Sequence, residues 1–273
     1  MSLRVLYDNL PVGTIKRTYR LFRPQQLAQP RRLVLIFHGA VGSAEEIASF
    51  SGFDIEADRL GWIAAYPEAH NPGVNGGWDT YACCKQPGVD DVAFIAALID
   101  RLGETEGIDT ARVCLTGFSR GGMMVYRLGC ELSGHVIAIA PVAGNMADRH
   151  GSVDVGRRPE RPVALFVVHG LDDRNVPVEG GLSPVYIGQV AYAPLSEVLH
   201  RWRDWNDCAD RQETVNQDGP VTMRRWLGAS RAPVELRLLS GGGHAWPGPQ
   251  HPPTSPEAAF NASRAIADFF AGS

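Results

Sequence analysis

The chain has 273 residues, 44% hydrophobic and 21% charged, with a formal net charge of −4. Those proportions fit an ordinary globular protein folded as one domain, 1–273, since α/β folds reach this size around one core. The mild acidity, with no basic run longer than Arg31-Arg32 or Arg157-Arg158, argues against a nucleic-acid partner, and the lack of a membrane-spanning apolar run argues against a membrane.

Taken in order, residues 12–22 alternate (Ile15, Arg17, Tyr19, Leu21) as a half-buried strand does. Leu33–Phe37 is a continuous apolar run and predicts a strand covered on both faces. A helix follows over 44–60, then a buried strand over 61–67 stopped by Pro67. Residues 68–88, rich in Gly and Pro, read as a long loop of the kind that carries function. Asp90 or Asp91 caps a helix whose apolar face is Val92, Ile95, Leu98, Ile99 and Leu102.

Further strands are predicted over 113–118, 136–140, 163–168, 221–226 and 234–239. A helix carries Leu195, Val198, Leu199 and Trp202, and a closing helix starts at Ser255 with Pro256 in its first turn. Such alternation predicts an α/β fold: a mostly parallel central sheet with helices on both faces.

The chemistry centres on Gly117-Phe118-Ser119-Arg120-Gly121. G-x-S-x-G is weak as a bare pattern, but here an apolar strand precedes it and a helical pattern follows, as a serine held at a strained strand-to-helix turn requires. A serine hydroxyl is a poor nucleophile without a base and a carboxylate to orient that base, and in such folds the partners follow in the order Ser, Asp, His. His244 is the histidine that meets this order and lies on a loop after the last strand. The acid is Asp172 or Asp173, and periodicity does not choose between them.

Backbone N–H groups of Ala40 and Arg120 are the candidates for an oxyanion hole, although His38-Gly39 also reads as a plain strand-ending turn. Trp78, Tyr81 and Trp246 lie on loops where they could wall a substrate pocket, or simply pack the loops. No phosphate-cradling loop or metal-ligand spacing is present, so no cofactor and no metal is expected. Of the five cysteines, Cys114 reads as a core residue, while Cys83 or Cys84 could pair with Cys130 or Cys208 in an oxidising compartment. Asn261-Ala262-Ser263 matches a glycosylation acceptor but falls inside a helical pattern.

His38-Gly39, Ala65-Tyr66-Pro67, Cys83-Cys84, Gly117-Phe118-Ser119-Arg120-Gly121-Gly122-Met123, His169-Gly170-Leu171-Asp172-Asp173-Arg174-Asn175-Val176-Pro177 and Gly243-His244-Ala245-Trp246-Pro247-Gly248 together resemble the polyhydroxybutyrate depolymerase and feruloyl esterase family of α/β-hydrolases. The resemblance implies the α/β-hydrolase fold, Asp173 as the acid, and a serine esterase acting through an acyl-enzyme on polyhydroxyalkanoate oligomers or feruloyl- and acetyl-type esters. It also implies export, although Met1-Ser2-Leu3-Arg4-Val5 carries no leader; the chain is then cytoplasmic, or those residues stand where a leader was removed. Arg120 departs from the small or amide residue usual after the serine. A serine peptidase on the same fold and a catalytically dead binding protein remain alternatives.

Overall fold

The computed structural model describes residues 4–70, 77–80, 88–149, 152–154, 158–183, 190–208 and 213–273. It opens with an antiparallel hairpin of β1 (Val5–Val12) and β2 (Ile15–Phe22), turned through Gly13 at φ 58°. Alternation predicts only the second strand; β1 is an edge strand with no fully buried position, so its sequence carries little core signal.

β3 (Leu33–Phe37) and β4 (Ile63–Pro67) are buried throughout and pair in parallel. The stretch between them is two helices rather than the single one expected over 44–60: α1 (Ala44–Ser51) and α2 (Phe53–Leu60) meet at Gly52, whose left-handed φ of 61° ends the first. Ser43 caps α1 by accepting from Glu46 N. In α3 (Asp91–Glu106), Asp90 is the cap, accepting from Ala93 N.

Asp91 is buried in an ion pair with Arg17 at 2.7 Å, and its other oxygen accepts Asp79 N–H at 2.8 Å. One carboxylate thereby ties the first hairpin, α3 and the loop around Asp79 together. Breaking such a buried pair from one side costs about 3–5 kcal/mol.

β5 (Val113–Phe118), α4 (Arg120–Glu131) and β6 (Val136–Val142) follow, then the short β7 (Ala147–Arg149) and β8 (Ser152–Asp154). β9 (Ala164–Gly170), the short β10 (Gly181–Leu182) and β11 (Ala191–Tyr192), and α5 (Leu195–Trp205) come next. The last elements are β12 (Glu213–Asp218), β13 (Val221–Trp226), β14 (Val234–Leu239) and α6 (Ala262–Ala271). The closing helix does not start at Pro256: Pro256–Ala259 is a single 3₁₀ turn, Phe260 is extended, and Asn261 caps α6 by accepting from Arg264 N.

Ten strands form the main sheet in the order β1-β2-β4-β3-β5-β6-β9-β14-β13-β12, parallel from β4 to β14 and antiparallel at both edges. The period-two pattern of the buried strands splits their side chains between two cores. Leu33, Leu35 and Phe37 meet α3, α4 and α5 through Phe94, Met124 and Trp202. Val34 and Ile36 meet α1, α2 and α6 through Ile47, Phe53 and Ile266. Helices therefore cover both faces, as the alternation of elements predicts, and each large apolar side chain buried this way contributes about 1.5–3 kcal/mol.

Cys114, Cys130 and Cys208 are free buried thiols, so the expected pairing to Cys130 or Cys208 does not form; Cys208 Sγ instead lies 3.4 Å from Asn206 O. Cys83 and Cys84 lie outside the described residues. Among the described residues no helix is long and apolar enough to cross a membrane.

Candidate active site

Ser119 sits between the end of β5 and the first residue of α4, with φ 55° and ψ −117°. That is a costly conformation for a residue with a Cβ, and it persists because its surroundings over-determine it. Ser119 N–H donates to Val142 O at 2.9 Å and its carbonyl accepts Met123 N–H at 3.0 Å. A Cβ on Gly121 would fall on the Phe37 carbonyl oxygen and 2.5 Å from that of His38, and one on Gly117 would lie 2.7 Å from Gly121 C. Both glycines of the G-x-S-x-G pattern are thus demanded by the tight crossing of β5, α4 and the end of β3.

His244 lies on the loop after β14, steadied by Gly243 N–H donating to Glu257 Oε1 at 2.9 Å. Its Nε2 is 2.9 Å from Ser119 Oγ, and its Nδ1 is 2.8 Å from Asp173 Oδ2. The second carboxylate oxygen, Asp173 Oδ1, accepts Asn175 N–H at 2.8 Å and Val176 N–H at 2.9 Å. Asp172, the other candidate acid, is exposed, and its backbone N–H donates to Gly242 O. Of the two adjacent aspartates, only Asp173 reaches the imidazole.

Burial alone would raise the Asp173 pKa. The hydrogen bond and charge of His244, helped by Val176 N–H and His169, outweigh that and hold it below its ordinary value. An anion at Oδ2 keeps the proton of His244 on Nδ1 and leaves the Nε2 lone pair for the serine hydroxyl.

A second histidine stands behind the acid. His169, fully buried near the end of β9, lies with Nε2 2.8 Å from Val176 O and 3.5 Å from Asp173 Oδ2. Burial pushes its pKa down. A neutral ring with its proton on Nε2 donates to the Val176 carbonyl and so braces the turn that presents Asp173. The sequence reading gives His169 no role; its signal was the H-G-x-x-D spacing itself.

A cavity of about 280 Å³ opens at Ser119 and His244, with Ala40, Ile47, Phe50 and Phe118 among its walls. The loop after β3 runs against the serine: a Cβ on Gly39 would lie 3.5 Å from Ser119 Cβ. Ala40 therefore lines the cavity beside the serine, and Arg120 opens α4, whose first N–H groups lack intrahelical acceptors by construction. His38 supports this loop from below, with Nδ1 2.7 Å from Gly39 O and Nε2 accepting Ala69 N–H at 3.1 Å.

The tryptophans are placed differently from the expectation that they wall the pocket. Trp78 is fully buried, donates Nε1–H to His38 O at 3.0 Å and packs on the Phe37 ring. Trp246 is equally buried and donates to Ser263 Oγ at 2.9 Å. Both fill the core beneath the loops because each indole N–H finds an acceptor there. Tyr81 lies outside the described residues. Among the described residues, no three His, Cys, Asp or Glu side chains are grouped so as to hold a metal ion.

A mostly parallel sheet with a serine at a strand-to-helix elbow defines an α/β-hydrolase. The acetyl xylan esterase from Aspergillus awamori shares the fold with TM-score 0.64 and 17% identity, over 88% of this chain and 94% of that one. Est1E from Butyrivibrio proteoclasticus does so with TM-score 0.56 and 13% identity, over 96% of each. The profile of the family described as Esterase PHB depolymerase matches residues 17–186, well over half of the chain, and the chain belongs to that family of carboxylic-ester hydrolases.

NocK of Nocardia uniformis subsp. tsuyamanensis, whose name assigns it by inference to the esterases, is 30% identical over 86% of this chain and 72% of its own length. Feruloyl esterase B of Piromyces equi is 29% identical over 78% of this chain. The bifunctional acetylxylan esterase/xylanase XynS20E of Neocallimastix patriciarum is 26% identical over 84%. The matches cover 39% and 31% of those two proteins, so the chain spans less than half of either.

Proposed function

We propose that the chain is a serine esterase that cleaves feruloyl- or acetyl-type esters through a covalent acyl-enzyme. The observation that carries this reading is the unbroken hydrogen-bonded row from Asp173 through His244 to Ser119, opening on a cavity. In this account His244 Nε2 takes the Ser119 hydroxyl proton as Oγ attacks the ester carbonyl. The oxyanion then draws on the backbone N–H groups of Ala40 and Arg120. His244 returns the proton to the departing alcohol oxygen, the acyl group stays on Ser119, and a water activated by the same imidazole releases the acid.

Relatives named as feruloyl and acetylxylan esterases support the acyl classes. Membership of a family described by PHB depolymerase supports a second reading, in which the ester belongs to a soluble hydroxyalkanoate oligomer. The test is a panel of p-nitrophenyl acetate, p-nitrophenyl butyrate, methyl ferulate and a hydroxybutyrate oligomer, each with and without Ser119→Ala. Serine-dependent turnover of acetate or ferulate is the expected result, with a loss on the order of 10⁴- to 10⁶-fold in the variant. Turnover confined to the oligomer would favour the second reading, turnover of peptide amides instead of esters would favour a peptidase, and none at all a binding protein.

A further inference from the structure

The loop that carries Ala40 runs from Gly39 to Ser43, between β3 and α1, and one dipeptide holds both of its ends. At the start, the His38 ring accepts Ala69 N–H on Nε2 at 3.1 Å. At the end, Ala44 N–H, the first of α1, donates to Glu68 Oε2 at 2.8 Å. Glu68 and Ala69 follow Pro67, the last residue of β4, and are themselves fixed. Glu68 N–H donates to Thr18 O at 2.9 Å, and the Glu68 carbonyl accepts from Arg17 at 3.1 Å.

Between these anchors the backbone is strained. Val41 is β-branched, 59% exposed, and held at φ 53°, in the left-handed region that such a side chain resists. Within the loop, Gly42 N–H reaches Gly39 O only at 3.4 Å. A turn that open does not keep Val41 there by itself; strain of this kind persists where the surroundings impose it, and the anchors at the two ends do so.

The two ends are secured differently. His38 is held three ways, since its Nδ1 donates to Gly39 O at 2.7 Å and its carbonyl accepts Trp78 Nε1–H at 3.0 Å besides the bond from Ala69. Ala44 N–H has no intrahelical acceptor, being in the first turn of α1, so the Glu68 carboxylate is what fixes it. Glu68 does this with one oxygen. Among the described residues its buried Oε1 has no hydrogen-bond partner, and it lies 3.5 Å from the Nε2 lone pair that Ala69 already occupies. The duty calls for an acceptor at Oε2 and not for a charge.

We infer that Glu68 is a positioning residue for the oxyanion site: through Ala44 N–H it fixes the far end of the strained loop and so sets where Ala40 N–H stands relative to Ser119. The inference rests on the serine-esterase reading above. Misplacing a donor by about 1 Å costs up to about 10²-fold in rate, and an oxyanion contact acts on the transition state more than on the bound ester.

The experiment measures kcat, KM and the urea midpoint with p-nitrophenyl acetate for wild type, Glu68→Met, Glu68→Gln, Ala44→Pro and the double variant of Glu68→Met with Ala44→Pro. Methionine has a similar length but no oxygen acceptor, whereas glutamine keeps one. Proline removes the Ala44 N–H at the first position of a helix, where it is tolerated, and Ser43 before it is already extended at φ −135° and ψ 167°. Glu68→Met should lower kcat about 10- to 100-fold with KM within about threefold of wild type, and Glu68→Gln should keep at least about a third of kcat. Ala44→Pro should lower kcat without raising KM, and the double variant should lose no more than the worse single one, because both changes break one contact. A wild-type kcat in Glu68→Met whatever its urea midpoint, a loss that falls on KM, a Glu68→Gln as damaged as Glu68→Met, or losses that multiply in the double variant would each overturn the inference. Should Glu68→Met not fold, Ala44→Pro decides: an unchanged kcat there overturns it. A wild type without serine-dependent turnover would instead overturn the esterase reading, and this positioning role with it.

Discussion

Replacing Asp173 by Asn tests the site with almost no change of shape. In the native site Oδ1 accepts from Asn175 and Val176 N–H, and Oδ2 faces His244 Nδ1 at 2.8 Å and His169 Nε2 at 3.5 Å. An asparagine must keep its oxygen toward the two backbone donors, since an amide NH₂ there would confront N–H groups. Its NH₂ then faces His244 Nδ1, which must become the acceptor. The imidazole proton moves to Nε2 and points at Ser119 Oγ, so the lone pair that should accept the serine proton is gone.

A loss of kcat of about 10³- to 10⁴-fold is expected, the range for a base held in the wrong tautomer. The nearby Asp172→Asn, at an exposed carboxylate, should change kcat less than twofold. Both are read with p-nitrophenyl acetate at pH 8, with circular dichroism to confirm the fold. If Asp173→Asn kept more than a tenth of wild-type kcat, or if Asp172→Asn were the more damaging, the reasoning would be refuted.

Three further outcomes follow from the packing. Gly121→Ala drives a Cβ into the carbonyls of Phe37 and His38, and urea denaturation should show a loss of about 1–3 kcal/mol; an unchanged midpoint would deny the close crossing. Trp246→Phe removes the donor to Ser263 Oγ from a sealed site and should cost about 1–3 kcal/mol while leaving the ratio of acetate to butyrate turnover as it was; an altered ratio would return Trp246 to the pocket wall.

Burial lowers the His38 pKa to about 4, against about 6.5 unfolded, so below pH 6.5 the unfolded chain gains a proton that the folded chain resists. The stability margin of wild type over His38→Gln should therefore shrink by about 3 kcal/mol from pH 7 to pH 4; a margin independent of pH would contradict the buried neutral ring.

The site was legible where chemistry constrains sequence locally. Gly117, Ser119 and Gly121 sit together because one turn requires all three, and His244 follows from the order of partners. The choice of Asp173 over Asp172 was not periodic information: it depends on which carboxylate the turn through Asn175 and Val176 holds, and the family resemblance supplied it in advance. Trp78 and Trp246 misled because an indole on a Gly- and Pro-rich loop looks exposed until its N–H finds a buried acceptor, here His38 O and Ser263 Oγ. Ile47 and Phe50 border the cavity from a helix that also packs on the core, Ile47 serving both, and nothing in their spacing separates the two duties. β12 escaped notice since all six of its residues are exposed and carry no alternation.

The central claim is that Ser119 Oγ becomes acylated. Mixing the protein with p-nitrophenyl acetate, quenching in acid within the first turnover and mapping the peptides by mass spectrometry tests it most directly. One acetyl group on the peptide that holds Ser119, absent from Ser119→Ala, is the predicted result. Steady hydrolysis with no label at Ser119, or undiminished hydrolysis by Ser119→Ala, would contradict it.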